Sequence, residues 1–482
     1  MHNPNPFDFV PFADRPLLKT EDEFNSMGDL FSGYLEVKMK ALTPVHVVGY
    51  QEPDGNGRKS HIYRQNDQAY IPAASIRGCL RAFIETLTAG WVSQATPEYG
   101  KSYKKRHVGF STFEWFQNKS RNHQYQAKPA VDPAYQPKAS TDDVVTDIAS
   151  YLFGIVIEKE KGSDVSHDAL ARKSKVWIED AKIESEHLDD KNYWLPDIAG
   201  DAIMGGAKPS ASNWWYMQPN QVWQRNVSVS GRIMPMAEFI GERYWGRKFY
   251  YHQNPDNCVP FYDPQNHNWE YPKHPFCKVK LECLMPNTST DNFRIYVNRI
   301  PRQLLVLLVL SLAPGNNIRH KLGYGKAYGY GSIEFSIEAA HLRVEDTSQR
   351  IPASLKDMLE ESLSWSKMAW NRERLQAAGF DVSLIDWSAL DKLAKIIGLE
   401  NYEKLTFTYP PFKSGYFARG ISQDVFNKAV GPKFKLGNPI STTSPEVARN
   451  LAAELFAIKK PIHFQVYQEN AQGWVIIKNR KP

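Results

Sequence analysis

The chain has 482 residues, more than one hydrophobic core usually holds, so two domains or one heavily inserted domain are expected. Hydrophobic residues make up 42%, enough for a packed core, and the net charge of +6 leans toward an anionic partner. Cys79, Cys258, Cys277 and Cys283 form no CxxC pair, which argues against a zinc site and a disulfide framework. The N-terminus, MHNPNPFDFVPF, lacks the layout of a secretory signal, and the longest apolar run, Leu304 to Leu310, is too short to span a bilayer. The expectation is a soluble cytoplasmic protein with no membrane partner.

Residues 1–33 are rich in Pro and Asp and read as an irregular lead-in. From Tyr34 to Ala41, Leu35, Val37, Met39 and Ala41 alternate with Glu36, Lys38 and Lys40, a half-buried strand that continues into Thr43-Pro44-Val45-His46. A polar loop follows from Gly49 to Ala69, with Pro53-Asp54-Gly55 as its turn. Tyr70 to Leu87 then reads as a strand end, a Pro-marked turn and a helix. Ser75 is the expected N-cap, and Ile76, Leu80, Phe83, Ile84 and Leu87 form one apolar face. Arg77 and Arg81 sit one turn apart on another face. A helix start with two guanidiniums suits a phosphate, and an ordinary amphipathic helix with solvated arginines fits the same pattern.

Residues 89–141 are polar and Pro-dotted, with a basic cluster of Lys101, Lys104, Lys105, Arg106 and His107 ahead of Phe110, Phe113, Trp115 and Phe116. Asp147 to Gly154 reads as a short helix closed by glycine, and Ser174 to Ile183 as one strand. Residues 185–275 form a second insertion dense in Trp and Tyr, suited to base stacking or to packing against another protein. Cys277 to Leu284 and Phe293 to Val297 are strands, Pro301 opens a helix from Arg302 to Leu312, and Ser332 to Ile337 is a strand. Before that last strand lies RHKLGYGKAYGYGSIEF. Gly323, Gly325, Gly329 and Gly331 interleave there with Tyr324, Tyr328 and Tyr330, among Arg319, His320, Lys321 and Lys326. Glycines admit close backbone approach, tyrosines offer stacking faces and the cations offer charge; a Gly/Tyr-rich hairpin fits as well. The spacing is neither that of a Walker loop nor of a dinucleotide fingerprint. Residues 342–482 read as two helices (Ile351 to Gly379 and Leu384 to Leu399) followed by strands, with Pro461 to Tyr467 paired to Trp474 to Lys478. This segment shows no catalytic constellation and suits docking to neighbouring subunits.

Pro72-Ala73-Ala74-Ser75-Ile76-Arg77-Gly78, together with the downstream glycine-rich stretch, resembles the RAMP superfamily of CRISPR systems. Thr43-Pro44-Val45-His46, Leu152-Phe153-Gly154 and the SxVxIxDAxI pattern of Ser174 to Ile183 add to the resemblance. It implies an α+β fold: an RRM-like (ferredoxin-like) core over 34–341, with insertions at about 89–141 and 185–275 and a C-terminal accessory segment over 342–482. It further implies a type III effector-complex backbone subunit whose partners are guide RNA, target RNA and other CRISPR effector subunits. His46, Ser75, Arg77, Arg81, Arg319, His320, Lys321, Lys326 and the glycines and tyrosines of the 323–331 loop would contact RNA.

Binding of this kind needs no cofactor, whereas target cleavage would call for Mg2+ and a carboxylate on the loop before the helix. Asp54 is the best-placed acid and Asp67 the next. The run Lys59-Ser60-His61-Ile62-Tyr63-Arg64 stands where the family pattern places its acid, so a non-catalytic role is favoured. Two other readings stay open. One is a guide-processing endoribonuclease using His46, His320 and Lys321; the other is an assembly subunit without RNA contact.

Overall fold

The computed structural model describes residues 7–92, 145–157, 170–195, 246–255, 279–345 and 370–402, except 56 and 316, with short stretches elsewhere, mostly isolated strands. The basic cluster at 101–107, most of residues 89–141 and parts of residues 185–275 lie outside the described residues.

The N-terminal stretch is more ordered than its Pro and Asp content suggests. Phe7–Val10 (β1) is fully buried and pairs with a later strand, and Thr20 caps a one-turn helix through a reciprocal bond with Glu23. The long strand Leu30–Ala41 (β2) follows. The expected polar loop is instead a hairpin of Val48–Asp54 (β3) and Gly57–Ile62 (β4), turned at Gly55 with φ 56°. Alternation was too weak there to show it, since nearly every residue of β3 is solvent-facing. Gln68–Ile71 (β5) leads into the helix Ala73–Leu87 (α1), and Ile148–Phe153 (α2) ends at Gly154 with φ 71°.

The single strand expected over Ser174 to Ile183 is two: Val176–Ile178 (β6) and Ala181–Ile183 (β7), which pair in different sheets. The break falls at Glu179-Asp180, whose carboxylates bond outward to Arg294 and to the start of α1. Next come Leu188–Leu195 (β8), Arg247–Tyr250 (β9), Val279–Leu284 (β10), Phe293–Pro301 (β11), the helix Arg302–Leu312 (α3), His320–Lys321 (β12), Ser332–Val344 (β13) and the helix Trp387–Ile397 (α4).

One five-stranded sheet organises these elements in the order β6-β11-β2-β13-β12, every pairing antiparallel. Central β2 sends Leu35, Val37, Met39 and Ala41 to one face, where they meet Ile76, Leu80, Phe83 and Ile84 of α1 and the leucines of α3 in a single core. Residues 304–312 are buried on all sides, in one core with the sheet, α1 and residues 375–397. A second sheet, β8-β10-β4-β3, is mixed, with β10 parallel to β4. Further along the chain, Phe464–Glu469 pairs with Gly473–Lys478, so the expected pair of Pro461 to Tyr467 with Trp474 to Lys478 forms with the first strand shifted toward the C-terminus. Among the described residues, no helix is long and apolar enough to cross a membrane.

Leu80 is wholly buried between helix and sheet. Leu80→Ala should cost about 2–5 kcal/mol, read as a lower urea midpoint at unchanged slope. Acid should also loosen the core. Burial pushes His46 and His320 down to about 4 and His252 to about 3, from 6.5. The unfolded chain therefore binds more protons, and stability falls as pH drops from 6.5 toward 4. Buried Asp147, raised from 3.8 to about 6 by desolvation and by Glu85, acts oppositely and loses stability as pH rises through that window. Three histidines against one carboxylate predict a net lower Tm at pH 5 than at pH 7.5, checked by thermal melts.

Candidate functional site

The start of α1 is not the open phosphate cradle that the sequence suggests. Pro72, not Ser75, is the N-cap, and Ser75 lies inside the first turn with its amide bonded to the Pro72 carbonyl at 2.9 Å. The Asp180 carboxylate already occupies the helix start, accepting from the Ala73 amide at 2.6 Å. Asp180 follows from no local signal in residues 70–87, because β5-β7 pairing brings it in.

Arg77 and Arg81 turn instead toward the far end of α2. A helix C-terminus leaves carbonyls unsatisfied, and these two guanidiniums take them up. Arg77 donates to the Phe153 carbonyl, and Arg81 to the Gly154 carbonyl at 2.6 Å and the Ser150 hydroxyl at 3.1 Å. Gly154 is required there: a Cβ would lie 2.5 Å from the Arg172 carbonyl. Arg81 also pairs with Glu85 at 2.8 Å. Glu85 is buried and shared with Arg247 at 3.4 Å.

Arg77, Arg81 and Arg172, with Gly154 and Ser174, line an open cavity of about 310 Å³. Arg172 pairs with Glu21, and Lys175 reaches the same carboxylate at 3.0 Å. Among the described residues Arg77 has no carboxylate partner, and its pKa is lowered by burial and by the neighbouring Arg81 charge. Three guanidiniums against two bound carboxylates leave the cavity positive. An anion there would relieve the Arg77–Arg81 repulsion and use guanidinium donors that one carbonyl leaves over. Arg172 has no recognisable signal in the sequence; the pairing of Ile155–Ile157 with Leu170–Arg172 delivers it.

The glycine-rich loop serves the fold first. Gly323, Gly325, Gly329 and Gly331 have φ of 86°, 76°, 87° and 81°. A Cβ at Gly331 would sit 2.0 Å from the Leu322 carbonyl, and one at Gly329 2.6 Å from the Gln253 carbonyl. The loop is pinned to the end of β2 by bonds of 2.8 Å from the Gly331 amide to Pro44 and from the Tyr324 amide to His46. Its tyrosines are not free stacking faces: Tyr328 and Tyr330 are buried in a small core with Leu281 and Cys283, and Tyr324 packs against it. The cations are likewise engaged. Arg319 holds Glu334 at 2.9 Å, Lys321 donates to the Tyr251 carbonyl at 2.8 Å, and burial lowers the pKa of Lys326.

Nor are the two histidines placed for proton transfer to a ligand. His46 is wholly buried, with Nδ1 2.7 Å from the Glu282 carbonyl and Nε2 2.9 Å from the Ser60 hydroxyl. The carbonyl can only accept, so Nδ1 carries the proton and Nε2 accepts from Ser60. His320 is buried, with Nε2 2.7 Å from the Ser311 carbonyl. Asp54 stands at the tip of β3 and pairs with Lys280 at 2.6 Å. Asp67 occupies the turn before β5 with φ 64°. Glu282, which strand alternation places toward solvent, is buried and bound to Arg64 and to the Ile62 amide at 2.9 Å.

A family model of the RAMP superfamily matches residues 38–334, from within β2 to the start of β13. The chain belongs to the RAMP superfamily. The matched span contains the three-arginine cavity and the glycine-rich loop of this RAMP protein. No curated protein matches it. Among solved structures, a chain titled "Type IV-B CRISPR Complex" is similar at 11% identity, covering 66% of this chain and 94% of that one with a TM-score of 0.26.

Arg77 and Arg81 should separate on mutation. Arg81→Ala strips Glu85, Gly154 and Ser150 of a buried partner and should cost about 1.5–3 kcal/mol, whereas Arg77→Ala removes one bond to a carbonyl and should cost under about 1.5 kcal/mol. Chemical denaturation of the two variants checks the order. Gly331→Val should fail to fold, seen as lost near-UV dichroism, because only backbone surrounds the missing side chain.

Proposed function

We propose that this RAMP protein is an RNA-binding subunit of a CRISPR effector complex of type III, holding guide RNA by its phosphates at the Arg77–Arg172 cavity. The observation that carries the reading is that cavity, an open, net-positive pocket built of guanidiniums within the span matched by the family. Strand order also supports it. Taking β2, α1, β6, β11, α3 and β13 as the unit, the sheet runs second, third, first, fourth strand, with both helices on one face. That is the order of an RRM-like, ferredoxin-like core, and residues 89–141 and 185–275 then interrupt it while 342–482 append to it. Phosphate contacts through arginine carry no sequence information, so binding should be insensitive to sequence and sensitive to salt. Target RNA and neighbouring subunits would complete the assembly, in the cytoplasm.

A holding role is favoured over cutting. A divalent ion at Asp54 would have to displace the Lys280 ammonium from the carboxylate. The processing reading is weaker, since His46 and His320 are locked by internal bonds and held neutral at pH 7.

Native purification followed by sizing of bound RNA tests the assignment: RNA of uniform length in a multi-subunit particle is expected, and RNA-free particles would favour the assembly reading. In vitro, Arg77→Ala with Arg172→Ala should reduce the slope of log K against log salt by about 2 in magnitude, one for each lost phosphate contact. An unchanged slope sinks the cavity as the phosphate site. Target RNA incubated with the complex and Mg2+ should remain intact, or be cut equally by wild type and Asp54→Ala.

A further inference from the structure

The sheet has a second face, turned away from α1 and α3. Where β2 sends Leu35, Val37 and Met39 inward, it presents Tyr34, Glu36, Lys38 and Lys40 outward. The register across the strands brings four rings into one row on that face. Trp177 of β6 stands opposite Tyr296 of β11, Tyr296 opposite Tyr34 of β2, and Tyr34 opposite His341 of β13. Tyr34 and Tyr296 have centroids 5.7 Å apart, and Tyr34 stacks on His341 at 4.6 Å. The ends of the row are open: Trp177 is 37% exposed and the His341 side chain 50%.

We propose that this row is a second RNA-contact surface, on which the bases of a single strand stack while cations beside the rings meet its phosphates. Its charge favours that occupant. The Arg294 guanidinium lies over Tyr34 at 4.9 Å and the Lys173 ammonium over Trp177 at 5.7 Å. The nearest carboxylates are engaged. Glu179 accepts from the Tyr296 hydroxyl at 2.7 Å and the Arg294 amide at 3.0 Å, and Glu36 faces His341 at 3.7 Å. A protein partner would call for an apolar patch with charges kept to its rim. Here every ring stands beside a charge, and each ring has a polar edge, which suits a polyanion with flat apolar bases.

The row also continues from the cavity. Arg172 lines the cavity, the next residue, Lys173, covers Trp177, and Trp177 begins the row on the edge strand. A strand held by its phosphates at Arg77 and Arg172 would leave over Lys173 and cross the sheet from Trp177 toward His341. The choice of RNA over DNA rests on the function proposed above; the stacking itself does not.

The test uses the full chain and two probes of equal length, a labelled oligouridylate and an abasic oligomer with the same phosphate spacing. Trp177→Leu with His341→Leu keeps apolar bulk on the sheet and removes the two open stacking faces of the row. Affinity for oligouridylate should drop by about five- to hundred-fold per lost face. Affinity for the abasic oligomer and the salt slope should stay at wild-type values. Arg77→Ala with Arg172→Ala should weaken both probes alike, so loss of the cavity reading and loss of the stacking reading are told apart. Wild-type oligouridylate affinity in the leucine variant overturns the proposal. So does a leucine variant that keeps its RNA affinity and loses a co-purifying protein, which would make the row a protein-docking face.

Discussion

The pleat of β2 is the constraint on which the rest of the molecule depends. The strand is paired on both sides, so its register is fixed twice, and a one-residue slip would exchange its two faces. With the observed register, Leu35, Val37 and Met39 meet both helices while Tyr34 joins the rings on the open side. The glycine-rich loop inherits its position from the same strand, because its amides hang on the Pro44 and His46 carbonyls just beyond it. Core, loop and open face are therefore one decision made by alternation along twelve residues.

Buried charge supplies a second level of order. Arg247 donates to the carbonyls of Gly90 and Trp91, where the chain departs from α1, and pairs with Glu85. Glu85 passes to Arg81, and Arg81 to the end of α2. Asp147 sits against this chain with its pKa raised, one oxygen bonded to the Ser150 amide, and Gly90 is required because a Cβ would come within 2.5 Å of the other. Such a network stabilises little in itself, since desolvation offsets attraction, but its geometry admits few alternatives. It fixes the roots of α1 and α2, and through them the shape of the cavity.

The sequence made legible whatever local periodicity encodes. The boundaries of α3, the glycine stop of α2, the alternation of β2 and β11 and the apolar face of α1 all follow from neighbouring residues. The hairpin β3-β4 is not legible, because β3 faces solvent almost throughout and β4 ends in the buried run Ser60-His61-Ile62, so neither strand alternates. The break between β6 and β7 did not show either, since strand-like residues continue straight through Glu179-Asp180. For the site, the helix pattern marks the arginines and says nothing of their surroundings. Asp180 and Arg172 reach the start of α1 and the cavity by tertiary pairing, and nothing within a window of ten residues reports that, whereas Glu85 lies one turn after Arg81 on the same helix. In the 323–331 loop the glycines do take positive φ and admit close approach, but at Gly323, Gly329 and Gly331 it is the protein's own backbone that comes close, and Tyr328 and Tyr330 are packed in a small core instead of standing as open stacking faces.

This bears on how arginines on a helix should be weighed. A guanidinium has five donors, and a helix C-terminus nearby offers bare carbonyls as readily as a ligand offers phosphate oxygens. Arg81 is committed to that internal task by three partners, with its side chain only 12% exposed. Arg77, one turn earlier, reaches only one carbonyl among the described residues and pays repulsion from Arg81. The same motif thus contains one arginine that builds the cavity and one left with donors to spare inside it. An anion there would meet a positive charge that is already partly desolvated and already aimed, which favours charge-assisted bonds. On that ground Arg77, with Arg172 opposite, is the residue at which binding and folding come apart.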